Sequence, residues 1–104
     1  MTTLSLLIKN EPVVTSAALR FAKASSNTDV RMHCVFFYGK GVLHATGQEK
    51  QFWSDWSHAV GARLVLCSAS AETFGLTADD NFAVEGLGDL IEAGLASDKV
   101  VSFG

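Results

Sequence analysis

Cysteine, proline and charge are all scarce in this chain. It has two cysteines in 104 residues, Cys34 and Cys67. They form no C-x-x-C pair, which excludes a disulfide framework, a dithiol redox motif and a cysteine-pair zinc site. In a reducing cytoplasm both thiols are expected to be free. Proline occurs once, at Pro12. No stretch has the composition of a linker, and no repeat or low-complexity tract appears. The chain therefore reads as a single domain over residues 1–104, long enough to bury a modest core.

Charged residues make up 18% of the chain and hydrophobic residues 48%. Lys and Arg number 8 against 11 Asp and Glu, for a net charge of −3. That balance supplies no basic face for a polyanion, so direct contact with nucleic acid is not expected. The opening stretch MTTLSLLIKNEP lacks a basic region and a small-residue cleavage site, and it is too short to span a bilayer. A cytoplasmic protein without membrane attachment is expected. So much apolar residue in a small domain also predicts that a partner covers part of the surface, as an oligomer.

Cofactor motifs are missing too. Gly86-Leu87-Gly88 begins a dinucleotide fingerprint, but the third glycine position is Ile91. There is no Walker lysine pattern. His33 adjoins Cys34, yet adjacent residues of a strand face opposite ways, which argues against a shared metal. Neither a cofactor nor a metal is expected, and a flavin or nucleotide binder is a third-ranked reading.

What the chain does have is alternation. Residues 3–9 read as a strand. Pro12 suits a first helical turn, and Val13, Ala17 and Phe21 follow at helical spacing as far as Ala24, with Ser25-Ser26-Asn27 as a stop. Residues 30–38 read as a strand apolar on both faces, as in a sheet covered on both sides. Gly39, Gly41 and Gly47 mark a connection. Thr46 and Glu49 have capping-box spacing, and Phe52, Trp53, Trp56 and Val60 form a helical stripe ending at Gly61. Residues 62–67 make a third strand, and the small residues that follow suit a helix start. Residues 81–84, a stripe from Leu87 to Leu95, and residues 99–103 complete the series. This order predicts a three-layer α/β/α fold with a mainly parallel, five-stranded sheet. Reactive groups in such sheets gather at the carboxyl ends of the strands.

The two cysteines fall in contrasting places. Cys34 is mid-strand, between Met32 and Phe36 on what reads as one face, where a thiol acts as a small buried hydrophobe. Cys67 ends the run Leu64-Val65-Leu66 and precedes a helix. Free N–H groups at a helix start favour a thiolate, and Ser68, Ala69 and Ala71 leave room for an incoming sulfur. The thiolate is the reacting species in sulfur and disulfide exchange. Position alone leaves a packed, inert Cys67 open. His44, in the glycine-bounded connection, reads either as a solvated loop histidine or as a group leaning toward Cys67. His58 reads as a surface residue. Trp53 and Trp56 read as core or interface anchors.

The ordered segments VFFYGKGVLHA, RLVLCSAS and NFAVEGLGDLIEAGLASDKVVSFG resemble the DsrE/TusD family of sulfurtransferase subunits, and SAALRFAKA fits the same family. The resemblance spans most of the chain. It implies a flavodoxin-like, DsrEFH-like fold and a persulfide-carrying cysteine at the end of the third strand, a position held here by Cys67. It implies a sulfur relay, as in tRNA 2-thiouridine synthesis or sulfur oxidation. The implied partners are DsrF/TusC-like and DsrH/TusB-like sister subunits in a hexamer or trimer, a TusA-like donor and a TusE/DsrC-like acceptor. Three features depart from the family pattern. The loop after the first strand is Lys9-Asn10-Glu11-Pro12 rather than glycine-containing, the segment from Val42 to Trp53 is short, and Glu72 stands where relatives carry basic residues. They keep a second reading in view, a structural subunit of such an assembly without sulfur chemistry of its own.

Overall fold

The computed structural model describes residues 3–11, 16–25, 31–79, 81–86, 88 and 98–103. Five parallel strands are present: β1 (Thr3–Ile8), β2 (Arg31–Phe37), β3 (Arg63–Cys67), β4 (Phe82–Glu85) and β5 (Lys99–Phe103). Their order in the sheet is β4-β3-β2-β1-β5. Among the described residues, the helices are α1 (Ser16–Ser25), α2 (Gly47–Val60) and α3 (Ser68–Thr73), and a 3-10 segment covers Gly39–Ala45. The α/β class and the parallel five-stranded sheet match the sequence expectation. The stripe from Leu87 to Leu95 and the helical turn at Pro12 lie outside the described residues, Gly88 apart.

The strands alternate between two faces. Leu4, Leu6, Ile8, Val35, Phe37, Leu64, Leu66 and Phe82 belong to one buried cluster, joined by Ala22 of α1, Trp53 and Trp56 of α2, and Ala71 of α3. Among the described residues, these three helices thus pack on one face. The chain steps in one direction from β1 through β4, and right-handed crossovers taken in one direction leave their helices on one side. The opposite face carries Cys34, Phe36 and Val65, with Leu7, Tyr38 and Cys67 against them.

Strand β2 departs from simple alternation. Leu4 stands beside Met32 but Ser5 beside Cys34, so His33 is an extra residue in a bulge. The bulge separates two residues that the sequence pattern puts on one face: Met32 joins the helix-covered cluster and Cys34 the opposite one.

Both indoles of α2 lie in the core, and each finds an acceptor. Trp56 Nε1 donates to the Ala22 carbonyl at 2.9 Å, which satisfies a carbonyl in the last turns of α1. Trp53 Nε1 donates to His44 Nδ1, also at 2.9 Å. Helix α2 ends at Gly61, whose φ of 73° lets its N–H close on the Ser57 carbonyl. The capping box does not form at the other end. Thr46 occupies the N-cap position, but its hydroxyl donates backward to the Leu43 carbonyl at 2.7 Å, tying it to the preceding 3-10 turn.

Candidate functional site

The carboxyl end of the sheet is built around a close crossing of two chain segments. The 3-10 segment leaves β2 and passes over the end of β1. Tyr38 N–H donates to the Ile8 carbonyl at 3.0 Å, and Gly41 N–H to the Lys9 carbonyl at 2.9 Å. A Cβ on Gly41 would lie 2.0 Å from the Ile8 carbonyl oxygen, so no other residue fits there. The crossing fixes Gly39 beside the first turn of α3, where its N–H donates to Ser70 Oγ at 2.8 Å.

Cys67 is the last residue of β3 and the N-cap of α3. Its backbone is extended, with φ −62° and ψ 127°, and the helix begins at the next residue. An N-cap side chain faces the N–H groups of the second and third helical residues, here Ala69 and Ser70. The Cys67 side chain is half-buried against the Cys34, Phe36 and Val65 cluster. Burial works to raise its thiol, but the nearby Ser70 N–H, Ser70 hydroxyl and Ala69 N–H outweigh it and hold the thiol below its ordinary value. These contacts are electrostatic rather than a fully formed side-chain cap, which the sulfur does not make. Ser68, Ala69 and Glu72 around it are exposed.

Cys34 is the contrasting case. It is 1% exposed, and burial pushes its thiol up to about 11, against a smaller lowering effect from Arg63. Both cysteines share a sheet face, but Cys34 stands opposite Arg63, four residues before Cys67. That is about 13 Å along the strand, well beyond the roughly 7 Å between Cα atoms that a disulfide tolerates.

His44 is neither solvated nor near the thiol. It is fully buried on the helix-covered side, against the rings of Phe37 and Trp53. Its Nδ1 accepts the Trp53 N–H, and its Nε2 lies 3.2 Å from the Asn10 carbonyl. The ring is therefore the neutral Nε2–H tautomer. Burial, only partly offset by the Asn10 carbonyl, brings its pKa down to about 4. The missed signal was Trp53 itself: a core indole needs a buried acceptor, and His44 is a polar residue nine positions before it. His58 is exposed at the rim of a cavity of about 290 Å³ that also touches Arg63 and Asp79. That cavity opens at the amino end of β3, the opposite end from Cys67.

Among the described residues, no group of three or more His, Cys, Asp or Glu side chains is placed to hold a metal. No helix among them is long and apolar enough to cross a membrane.

A five-stranded parallel sheet with helices packed against it makes this a small α/β protein. The chain belongs to the DsrE/DsrF-like family, whose sequence model matches residues 6–103. It is 32% identical to the sulfurtransferase TusD of Serratia proteamaculans over 111 aligned positions, which cover 85% of this chain and 86% of the relative. It is 33% identical to the TusD of Cronobacter sakazakii, with 85% and 87% covered. The DsrE protein of Allochromatium vinosum is 27% identical, with 85% of each chain covered. The fold is also that of the ychN protein from E. coli, with a TM-score of 0.73, 17% identity and 99% and 100% of the two chains covered. Protein MTH1491 from Methanobacterium thermoautotrophicum superposes with a TM-score of 0.72 at 13% identity, with 95% and 96% covered.

Proposed function

We propose that this protein is a sulfur-relay subunit that accepts persulfide sulfur on Cys67 and passes it to an acceptor protein. The observation that carries this reading is the Cys67 thiol: half-exposed at the carboxyl edge of the sheet and held below its ordinary value by Ser70 and Ala69. Its relatives named as TusD sulfurtransferases support the same chemistry. In the charging step the Cys67 thiolate attacks the outer sulfur of a donor persulfide. A Cys67–sulfur bond forms, the donor's S–S bond breaks, and the donor leaves as a thiolate. In the second step an acceptor thiolate attacks the outer sulfur of the Cys67 persulfide, and Cys67 departs as thiolate. No net oxidation occurs and no cofactor is required.

The setting in this reading is the cytoplasm, within an assembly of DsrF/TusC-like and DsrH/TusB-like sister chains, a hexamer or trimer. A TusA-like protein is the donor and a TusE/DsrC-like protein the acceptor. The pathway is tRNA 2-thiouridine synthesis or sulfur oxidation, and the nucleic acid is handled by another component.

Intact-mass measurement after incubation with a persulfide-loaded donor tests the reading. Wild type and Cys34→Ser should each gain one sulfur atom, and Cys67→Ser should gain none. Uptake retained in Cys67→Ser but lost in Cys34→Ser would overturn the assignment. The structural-subunit reading predicts no uptake in any of the three.

A further inference from the structure

Ser70 has a hydroxyl whose partners set its direction. Gly39 N–H donates to Ser70 Oγ at 2.8 Å in a partly buried contact. A hydroxyl has two lone pairs and one proton. Gly39 occupies a lone pair and anchors the oxygen, which leaves the proton to donate. Thr73, one turn on, shows the alternative open to such a group, since its hydroxyl donates to the Ala69 carbonyl at 3.0 Å. Ser70 stands three residues after Cys67 on the first turn of α3, the position whose side chain turns back toward the residue that caps the helix, and its hydroxyl is one of the groups that hold the Cys67 thiol low. The anchor is itself rigid, because the crossing of Gly41 over Ile8 and Lys9 fixes Gly39.

We propose that Ser70 is a positioning residue for Cys67: its hydroxyl, fixed by the Gly39 N–H, donates to the Cys67 sulfur both when that sulfur attacks and when it leaves. The inference rests on the sulfur-carrying role of Cys67 argued above. In charging, the sulfur becomes neutral as the new S–S bond forms, and the Ser70 proton loses its anionic partner. In the hand-off, negative charge returns to Cys67 Sγ as the bond to the outer sulfur breaks, and the same proton receives it. Ser70 therefore raises the thiolate fraction near neutral pH at a small cost in intrinsic nucleophilicity, and it improves Cys67 as a leaving group. No proton is transferred from Ser70 in either step.

The ionisable groups on the neighbouring elements are few. Glu85 of β4 stands opposite Cys67 in register and is paired with Arg63 of β3. Tyr38 packs against the same cluster, Glu72 is exposed on α3, and Lys40 is exposed on the 3-10 segment.

The test is the pH profile of Cys67 alkylation by iodoacetamide in Cys34→Ser protein, compared with the added changes Ser70→Ala and Ser70→Thr. Thermal unfolding confirms that each variant is folded. In Ser70→Ala the profile should move to higher pH, with alkylation at pH 7 roughly fivefold slower and no loss of rate at the high-pH plateau. Ser70→Thr should restore the original profile. Superimposable profiles for wild type and Ser70→Ala would overturn the proposal. So would a slowing by one factor at every pH, or a failure of Thr to restore what Ala removes, since each marks loosened structure instead of a directed proton. Persulfide loading of the same variants keeps the two claims apart. A shifted profile in protein that takes up no sulfur would end the sulfur-carrier reading and leave the Ser70–Cys67 coupling standing.

Discussion

The indole N–H of Trp53 donates to His44 Nδ1 at 2.9 Å, and both rings are fully buried. The pair fixes a neutral imidazole inside the core. Its unfolded pKa is near 6.5 and its folded pKa is about 4. The unfolded chain therefore binds more protons between those values, and stability rises with pH across that window. The contribution is fully present above about pH 6.5, falls as the pH drops, and is gone below about pH 4. Its full size is about 3 kcal/mol. Urea unfolding at pH 7 and pH 5 should show the loss, and His44→Gln, which keeps a donor and an acceptor, should show a flatter dependence. Equal slopes in both proteins would rule out His44 as the source.

Trp53→Phe keeps an aromatic ring at the site but removes the donor to His44. It also leaves a void where the larger indole packed against Phe37, Phe52 and Trp56. The expected loss is about 2–4 kcal/mol, read from the urea midpoint at constant slope. A change below about 0.5 kcal/mol, the scatter of a surface substitution, would mean that the core reorganises around His44.

The two cysteines should separate cleanly in a labelling experiment. Cys67 should react with iodoacetamide at neutral pH faster than a model thiol, because its thiol is held low. Cys34, buried and pushed up to about 11, should label only after unfolding. Peptide mapping by mass spectrometry reads both sites. Labelling of Cys34 in folded protein at a rate near that of Cys67 would contradict the packing of the second sheet face.

Gly41→Ala should be the most damaging small substitution in the chain's described part. The added methyl meets backbone rather than a side chain, so the crossing must open. A loss of several kcal/mol is expected, from overpacking that nothing nearby can relieve. In any folded remainder the Gly39–Ser70 contact should weaken, and Cys67 alkylation should slow with it. Wild-type stability and reactivity would show that β1 and the 3-10 segment can slide apart freely.

The sequence made the strands and the Cys67 position legible for a common reason. Apolar runs such as Leu64-Val65-Leu66, followed by small helix-starting residues, are local patterns, and the topology rule converts their order into a parallel sheet. What stayed hidden is set by contacts between distant residues. The bulge at His33 depends on pairing with β1 and moved Met32 away from Cys34. Thr46 and Glu49 had the spacing of a capping box, but the 3-10 turn before them took the threonine hydroxyl. Ser70 read only as a small residue at a helix start, because its partner Gly39 is 31 residues earlier.

The seam between β1 and β5 has a consequence for how the molecule is made. Leu4 pairs with Lys99, and Thr3 N–H donates to Asp98 at 2.8 Å across 95 residues. Strands β1 to β4 can assemble as they emerge from the ribosome, each beside its predecessor. The outer edge of β1 stays open until the chain has been synthesised through residue 103. An open parallel edge is a template for foreign strands, and contacts this distant in sequence form slowly. During translation, the open edge of β1 is therefore a surface for a chaperone to shield.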